Sequence, residues 1–446
     1  MQPNVLLDAL LAEAGMSHAG LAAYVNQAGR SRGLALRYEH TAVARWLKGQ
    51  RPRGQVPDLI CEVLGGRLRR PVGLDDIGLG VPDQPVSLHA SPLSGFVDRA
   101  AALWRSDGQA RPQLLTAEAV TGTPAVIPVW EWENPPEDAD VSREGPNRIG
   151  PEHIETLKAA RAHYELMYRR AGGVATRDRI VRFLGSETAP MLRGSYSDGL
   201  GRRLHRATGS LVAVAGICAY DSDAHGLAQR YFHQALRLAK ASGDRGLGAY
   251  VIALIVNQSL HLREYRQAVA FAEAALRAAG RHTTPALAAD LYAMQAKAYA
   301  QLGDTHAALA CIRKAEAAAE RIRPGTEPDE TGYVQPGLVN VQVAEALLSL
   351  GDLEAAHVQA TAAVGTPAHD RGRVHRLAML CEIQLRQGEA DRAAAAAAEM
   401  AERAKGMESL RLRDRLRAVR EQLLTSGCSG AEETARIIDG ALRVPL

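Results

Sequence analysis

A small-residue triplet with the spacing 0, 4, 7 recurs along the second half of this 446-residue chain. It reads Ala228-Phe232-Ala235, then Ala268-Ala272-Ala275, Ala308-Ile312-Ala315 and Ala356-Ala360-Ala363, with Ala393-Ala397-Met400 a weaker fifth. A turn stands at one fixed offset: Gly303-Asp304, Gly351-Asp352 and Gly388-Glu389 each begin five residues before the lead alanine, and Arg263-Glu264 holds the same place. Small residues one and two helical turns apart let a second helix approach closely, and a turn kept in phase with them makes each unit an antiparallel hairpin. The shared phase favours a serial stack of hairpins over an irregular alanine-rich bundle. Aromatic residues are only 4% of the chain, so alanine and leucine carry the apolar load and favour close-packed helices over sheets. The predicted fold class is therefore all-α.

Upstream, the chain punctuates itself differently. Val5-Leu6-Leu7 and Leu10-Leu11 predict a first helix ended by Gly15, and Ser17 is placed to cap a second that carries Leu21, Ala22 and Val25 inward. Pro57 suits the first turn of a fourth helix, and residues 74–79 add a short turn. Residues 81–95 hold Pro82, Pro85 and Pro92 and read as a linker; residues 96–104 read as a helix. Residues 121–151 are proline-rich and acidic and read as a long mobile loop, pinned by Trp130 and Trp132; such a segment could compete with a polyanion for a basic face, but a plain solvated loop is the favoured reading. From Pro151 the pattern is helical, with a first stripe stopped at Gly172-Gly173. The expected division is residues 1–80, 81–150 and 151–446.

The third helix of the first unit, within residues 39–53, is the most informative for function. Val43, Trp46 and Leu47 fall on one face; His40, Thr41, Ala44, Arg45 and Lys48 fall on the other. Such a helix can be held to a small bundle by one side while it offers base-reading side chains from the other. Gly49 is placed to end it in a left-handed cap. Net charge is only +3, yet residues 30–53 carry Arg30, Arg32, Arg37, Arg45, Lys48, Arg51 and Arg53 against Glu39 alone. That local density is the footprint of a surface for a polyanion, a solvated face being the alternative. The base-reading candidates are His40, Thr41, Ala44 and Arg45; Arg30, Arg32, Arg37, Lys48, Arg51 and Arg53 are the phosphate candidates.

Several classes of chemistry find no support. There is no Walker A pattern, no H-E-x-x-H and no G-x-S-x-G. Gly246-Leu247-Gly248 does not continue as a dinucleotide fingerprint, and Asp221-Ser222-Asp223 reads as a turn between helices. The fourteen histidines do not cluster with carboxylates at ligand spacing along the sequence. Neither an enzyme, a cofactor nor a metal is expected. Five scattered cysteines form no C-x-x-C pair and indicate reduced thiols in a cytoplasm. No long apolar run predicts a membrane span.

Trp46-Leu47-Lys48-Gly49 followed by Arg51-Pro52 resembles the end of the recognition helix in repressor-type (XRE-like) helix-turn-helix domains. The alanine triplets and their turns resemble tetratricopeptide repeats, lengthened here: lead alanines are 40, 40, 48 and 37 residues apart against a standard ~34, the longest step absorbing a loop at 323–336. With ARWLKGQRPRG, DDIGLG at 75–80, AALWRSD at 101–107 and Ala219-Tyr220-Asp221 leading into LAQRYFHQALRLA, the chain is similar to actinobacterial regulators that join the two modules, the Nsd-type negative regulators of sporulation and antibiotic production. The resemblance implies an N-terminal helix-turn-helix bundle, a C-terminal tetratricopeptide-like α-solenoid, and a transcription factor controlling development or secondary metabolism.

On that reading the partners are double-stranded DNA, a second copy of the chain, and a peptide or small-molecule effector. Asn257, Lys297, Glu345 and Glu382 stand at one helical position of successive repeats, expected to face the concave side and grip such an effector; solvated polar positions are the plainer alternative. A protein-binding adaptor, acting through the solenoid without specific DNA recognition, is the other functional class the sequence allows.

Overall fold

A computed structural model describes residues 3–69, 72–74, 76–79, 93–109, 112–323, 325–427 and 430–443. Among them the fold is all-α, with no strand and two isolated bridges, Arg143 to Tyr196 and Arg148 to Ser195. Most of the expected linker lies outside the described residues; its last three residues open a helix.

The N-terminal unit comprises α1 (Val5–Glu13), α2 (His18–Ser31), α3 (His40–Leu47) and α4 (Val56–Leu68). Its apolar core runs from Leu7 to Leu79 and is separate from the others. Gly15 turns at φ 58° after α1, and the Ser17 hydroxyl accepts the Gly20 N–H at 3.1 Å to cap α2. Asn26 fastens the long connection between α2 and α3: its amide donates to the Tyr38 carbonyl at 2.8 Å and accepts from the Tyr38 N–H at 2.9 Å. Residues 76–79 form a turn and add Ile77 and Leu79 to the core.

Next come α5 (Leu93–Gly108), α6 (Pro112–Leu115), α7 (Thr123–Glu133), α8 (Pro151–Ala171), α9 (Gly173–Phe183) and α10 (Ala189–Leu192). The mobile loop expected over 121–151 is not what the fold contains. Residues 123–133 are helical and lie against the hairpins, with Trp132 buried and Trp130 left 57% exposed. Gly248 makes room for the Trp132 indole, since a Cβ there would collide with the ring. Three of its acids are occupied: Asp138 takes a two-pronged ion pair from Arg237 at 2.6 and 2.7 Å, Glu133 pairs with Arg277 at 2.6 Å, and Glu137 pairs with Arg245. The segment is a strap held to the hairpins by arginines, so these three acids are not free to compete for a basic face.

Five hairpins follow in series: α11 (Asp198–Asp221) with α12 (His225–Ser242), α13 (Arg245–His261) with α14 (Tyr265–Ala279), α15 (Pro285–Gln301) with α16 (Thr305–Ala319), α17 (Pro336–Leu350) with α18 (Leu353–Gly365), and α19 (Asp370–Arg386) with α20 (Ala390–Ala404). Every residue of the five triplets is buried. The turn register extends to all five, because Asp223, Arg263, Gly303, Gly351 and Gly388 share a positive φ at the same offset. Asp304 and Asp352 then cap α16 and α18 by accepting the Ala307 and Ala355 N–H groups.

Two last helices, α21 (Leu410–Ser426) and α22 (Ala431–Leu442), pack on α19 and α20, and the chain entering α21 returns to the start of the array. The Glu408 N–H donates to the Ala171 carbonyl at 2.7 Å and its carbonyl accepts from Val174 at 3.2 Å. Gly172-Gly173 permits this approach: a Cβ on Gly172 would strike the Glu408 backbone, and one on Gly173 would strike Asp221. The row of hairpins is therefore closed on itself.

Candidate functional site

The short α3 owes its position to Ala42, Val43 and Trp46, all buried, with Tyr38 set edge-on to the Trp46 ring at 5.1 Å. This leaves His40, Thr41, Arg45 and Lys48 exposed, with Ala44 half-buried between them. Gly49 takes φ 96°, and the Gln50 N–H closes back on the Arg45 carbonyl at 3.0 Å, which ends the helix as expected. Arg30, Arg37 and Arg53 are also exposed and, among the described residues, carry no ion pair. Two of the expected phosphate ligands are already engaged: Arg32 pairs with Glu62 at 2.6 Å, and Arg51 donates to the Leu79 carbonyl at 3.4 Å. The face thus presents His40, Thr41 and Arg45 with further cations along its edge.

A second feature lies inside the closed array: a cavity of about 290 Å³. The first helices of the hairpins line it, with α8, α12 and the start of α21 completing the wall. Asn257, Lys297 and Glu345 come together there, one from each of α13, α15 and α17. Glu382 does not join them; it lies beyond the stretch of α19 that borders the cavity and pairs with Arg386 at 2.9 Å on its own helix. Ile217, Leu254, Met294 and Val341 supply apolar wall; Tyr168, Tyr220 and Tyr250 supply aromatic wall.

The polar groups of the cavity are mostly satisfied by one another. Lys297 pairs with Glu345 at 2.9 Å. Burial pushes the Glu345 carboxyl up, but Lys297, Arg415 and Arg411 outweigh it and hold it below the usual carboxylate range. Buried Asp290 accepts from Tyr333 at 2.5 Å and Gln342 at 2.9 Å; burial still raises its pKa. Glu165 is held by Arg161 at 2.8 Å and Arg169 at 2.5 Å. Burial, reinforced by Arg415, Arg371 and Arg411, drives His375 well below the ordinary histidine value, so its ring is neutral.

Asp221 fastens the ring around this cavity. The turn role expected of it belongs to Asp223; Asp221 is the fully buried last residue of α11. Its carboxylate accepts the Gly173 N–H and the Ser409 hydroxyl, each at 2.7 Å, and pairs with Arg371, whose guanidinium lies 4.7 Å from the Tyr168 ring centre.

At the turn beside it, Asp223, His225 and His261 bring their ligating atoms within 4.8 Å of one another. The fold thus brings together a histidine–carboxylate group that spacing along the sequence did not point to. Burial lowers the pKa of both imidazoles, His261 to about 4, and Arg411 adds to the effect. Neutral imidazoles suit a metal, but Arg411 places a cation beside any ion the trio would hold.

α5 connects the two features. Trp104, buried, donates to Gln234 of α12 at 3.0 Å; Asp107 accepts from Tyr231 of the same helix at 2.7 Å; Arg105 reaches the N-terminal unit at Asp76. Neither the Asp221 hub nor the α5 contacts were found from sequence. Arg411 and Arg415 carried a weak signal, four residues apart and each beside a core leucine, in a run that otherwise reads as a solvated face.

Residues 7–80 match the family model described as the SP15 N-terminal domain, a span that coincides with the first apolar core. No curated protein matches the chain. No single helix is long and apolar enough to cross a membrane among the described residues.

Proposed function

We propose that this protein is a DNA-binding transcriptional regulator that lays α3 in the major groove and is controlled by a ligand held in the cavity. The observation that carries the reading is the division of α3: Ala42, Val43 and Trp46 fix it from within, while His40, Thr41, Arg45 and Lys48 are left exposed beside Arg37 and Arg53. In this role Arg45 pairs with a guanine edge, His40 and Thr41 contact neighbouring bases, and Lys48, Arg30, Arg37 and Arg53 hold phosphates. The resemblance of residues 46–52 to repressor-type recognition helices points the same way. One such unit grips few base pairs, so two chains reading two half-sites are expected. Ligand control requires unequal affinity of the ligand for the DNA-competent and incompetent states, and α5 offers a physical connection between them.

The test is selection of bound fragments from random DNA by the full chain at two salt concentrations. A regulator enriches one motif and loses affinity steeply with salt. Arg45→Ala should cost about 1–3 kcal/mol and relax one position of the motif, while Arg53→Ala should weaken all sequences alike and flatten the salt slope. Retention without enrichment, insensitive to salt, would turn the reading to a protein-binding adaptor.

A further inference from the structure

Two cations of the cavity touch no acceptor directly, although both act at longer range on Glu345, which is already paired with Lys297. Its other charged groups have direct partners: Lys297 with Glu345, Arg169 with Glu165, Arg371 with Asp221, Arg376 with the carbonyls of Ala363 and Thr366 at 3.0 Å each, and Asp290 with Tyr333 and Gln342. Among the described residues, Arg411 and Arg415 make no hydrogen bond or ion pair, although both are half-buried and border the cavity. They stand four residues apart on α21 and so share one face. Arg411 lies over the Tyr220 ring at 4.0 Å, which fixes its plane and leaves its N–H edges for an acceptor.

Two guanidiniums on one face, each bordering the cavity with no direct acceptor, form a ready fork for an anion, which charge-assisted hydrogen bonds would hold between them. We propose that the cavity binds a small organic anion, its acidic head clamped by Arg411 and Arg415 and its apolar body between Ile217, Leu254, Met294 and Val341. His375, neutral and on the same wall, can donate one further hydrogen bond to that head. A cationic ligand is disfavoured, because each carboxylate of the cavity already has its partners and the two free guanidiniums oppose it. The volume lies at the low end of the ~300–1,000 Å³ of small-molecule sites, which favours a small ligand over a peptide chain. The proposal takes its regulatory meaning from the function proposed above, but its binding chemistry does not need DNA.

The probe is 1-anilinonaphthalene-8-sulfonate, a fluorescent aryl sulfonate, set against N-phenyl-1-naphthylamine, the same skeleton without the sulfonate. The full-length protein should bind the sulfonate saturably at one site per chain and the neutral probe more weakly. Arg411→Gln and Arg415→Gln should each raise the sulfonate's Kd about tenfold or more, while Arg415→Lys keeps part of the affinity and the neutral probe changes little. Ile217→Trp, which fills the apolar half, should abolish both signals. Unchanged binding of the neutral probe certifies that the glutamine variants keep the cavity. The proposal is overturned if the sulfonate does not saturate, if the two probes bind alike, or if the arginine variants leave the sulfonate unaffected. None of these outcomes bears on DNA selection, so either proposal can fail alone.

Discussion

Arg105 of α5 donates to Asp76 of the N-terminal unit at 2.9 Å, and the same carboxylate accepts the Gly73 N–H at 2.9 Å. Two short motifs far apart in function, the turn at 76–79 and the segment at 101–107, are thereby parts of one contact. Asp76 is almost wholly buried and Arg105 half-buried, so the pair is not a surface ornament. Through Trp104 and Asp107 the same helix grips α12, whose Phe232 borders the cavity.

Replacing Arg105 by methionine should loosen this joint. Asp76 keeps one hydrogen bond but loses its cation, a cost of about 1–3 kcal/mol. Amide hydrogen exchange at residues 72–79 should quicken by roughly ten- to a hundredfold while the hairpins keep their protection. Unchanged exchange would mean the contact holds nothing. If the joint also transmits ligand binding, aryl sulfonate should alter DNA retention by the wild type and leave that of the variant unmoved.

Asp221→Asn should weaken the closure of the array. The amide keeps the shape but leaves Arg371 buried without a counter-charge, and breaking a buried pair in this way typically costs ~3–5 kcal/mol. The urea midpoint should fall, and the first protease cuts should appear near 405–409, where the chain meets α8 and α9. Wild-type stability and protease resistance would reject the role assigned to Asp221.

Two buried imidazoles set a pH dependence. Burial takes His205 and His233 down to about 4, and the His233 Nε2 has no partner among the described residues. Below pH 6.5 the unfolded chain binds protons at these sites and the folded chain does not. Stability is therefore fully present above about 6.5 and falls as pH drops toward 4, at roughly 1.4 kcal/mol per pH unit for each residue. Denaturant titrations at stepped pH should show this slope, and His233→Gln should reduce it by about one residue's share.

The turn register makes a matched pair of variants. Gly351 has φ 85° with nothing near a Cβ built on it, so Gly351→Ala isolates the backbone cost. A left-handed alanine costs ~1–2 kcal/mol, partly offset by the stiffer unfolded chain, for a net loss of about 1 kcal/mol. Arg263, at φ 61° in the equivalent place, should give a smaller change of opposite sign on replacement by glycine. Equal urea midpoints for Gly351→Ala and wild type would deny the register its energetic meaning.

What was legible in the residues was local or periodic. The alanine triplets located five hairpins because close packing imposes the same small residues at the same phase each time. The same periodicity led from Asn257 to Lys297 and Glu345, and it missed at Glu382 because the array curls and leaves that position past the cavity's end. Ser17, Gly49 and Trp46 were legible because caps and amphipathic faces depend on neighbours within a turn or two. The strap at 123–141 was not. Its prolines and acids resemble a solvated loop until Arg237, Arg245 and Arg277, about a hundred residues away, supply their counter-charges. Asp221 was misread for the same reason: Ser222-Asp223 beside it suggest a turn, while its true partners, Arg371 and Ser409, are 150 and 188 residues distant.

A row of hairpins with free ends yields like a spring, each member giving a little. Here the carboxylate at the end of α11 hooks the last members to the first, and the row becomes a hoop. In a hoop no member can shift without its neighbours shifting too. The helix that carries Trp104 and Asp107 is fixed to the rim and ends its reach at Asp76, so a change of girth, were the proposed ligand to cause one, would be passed to the unit that bears α3.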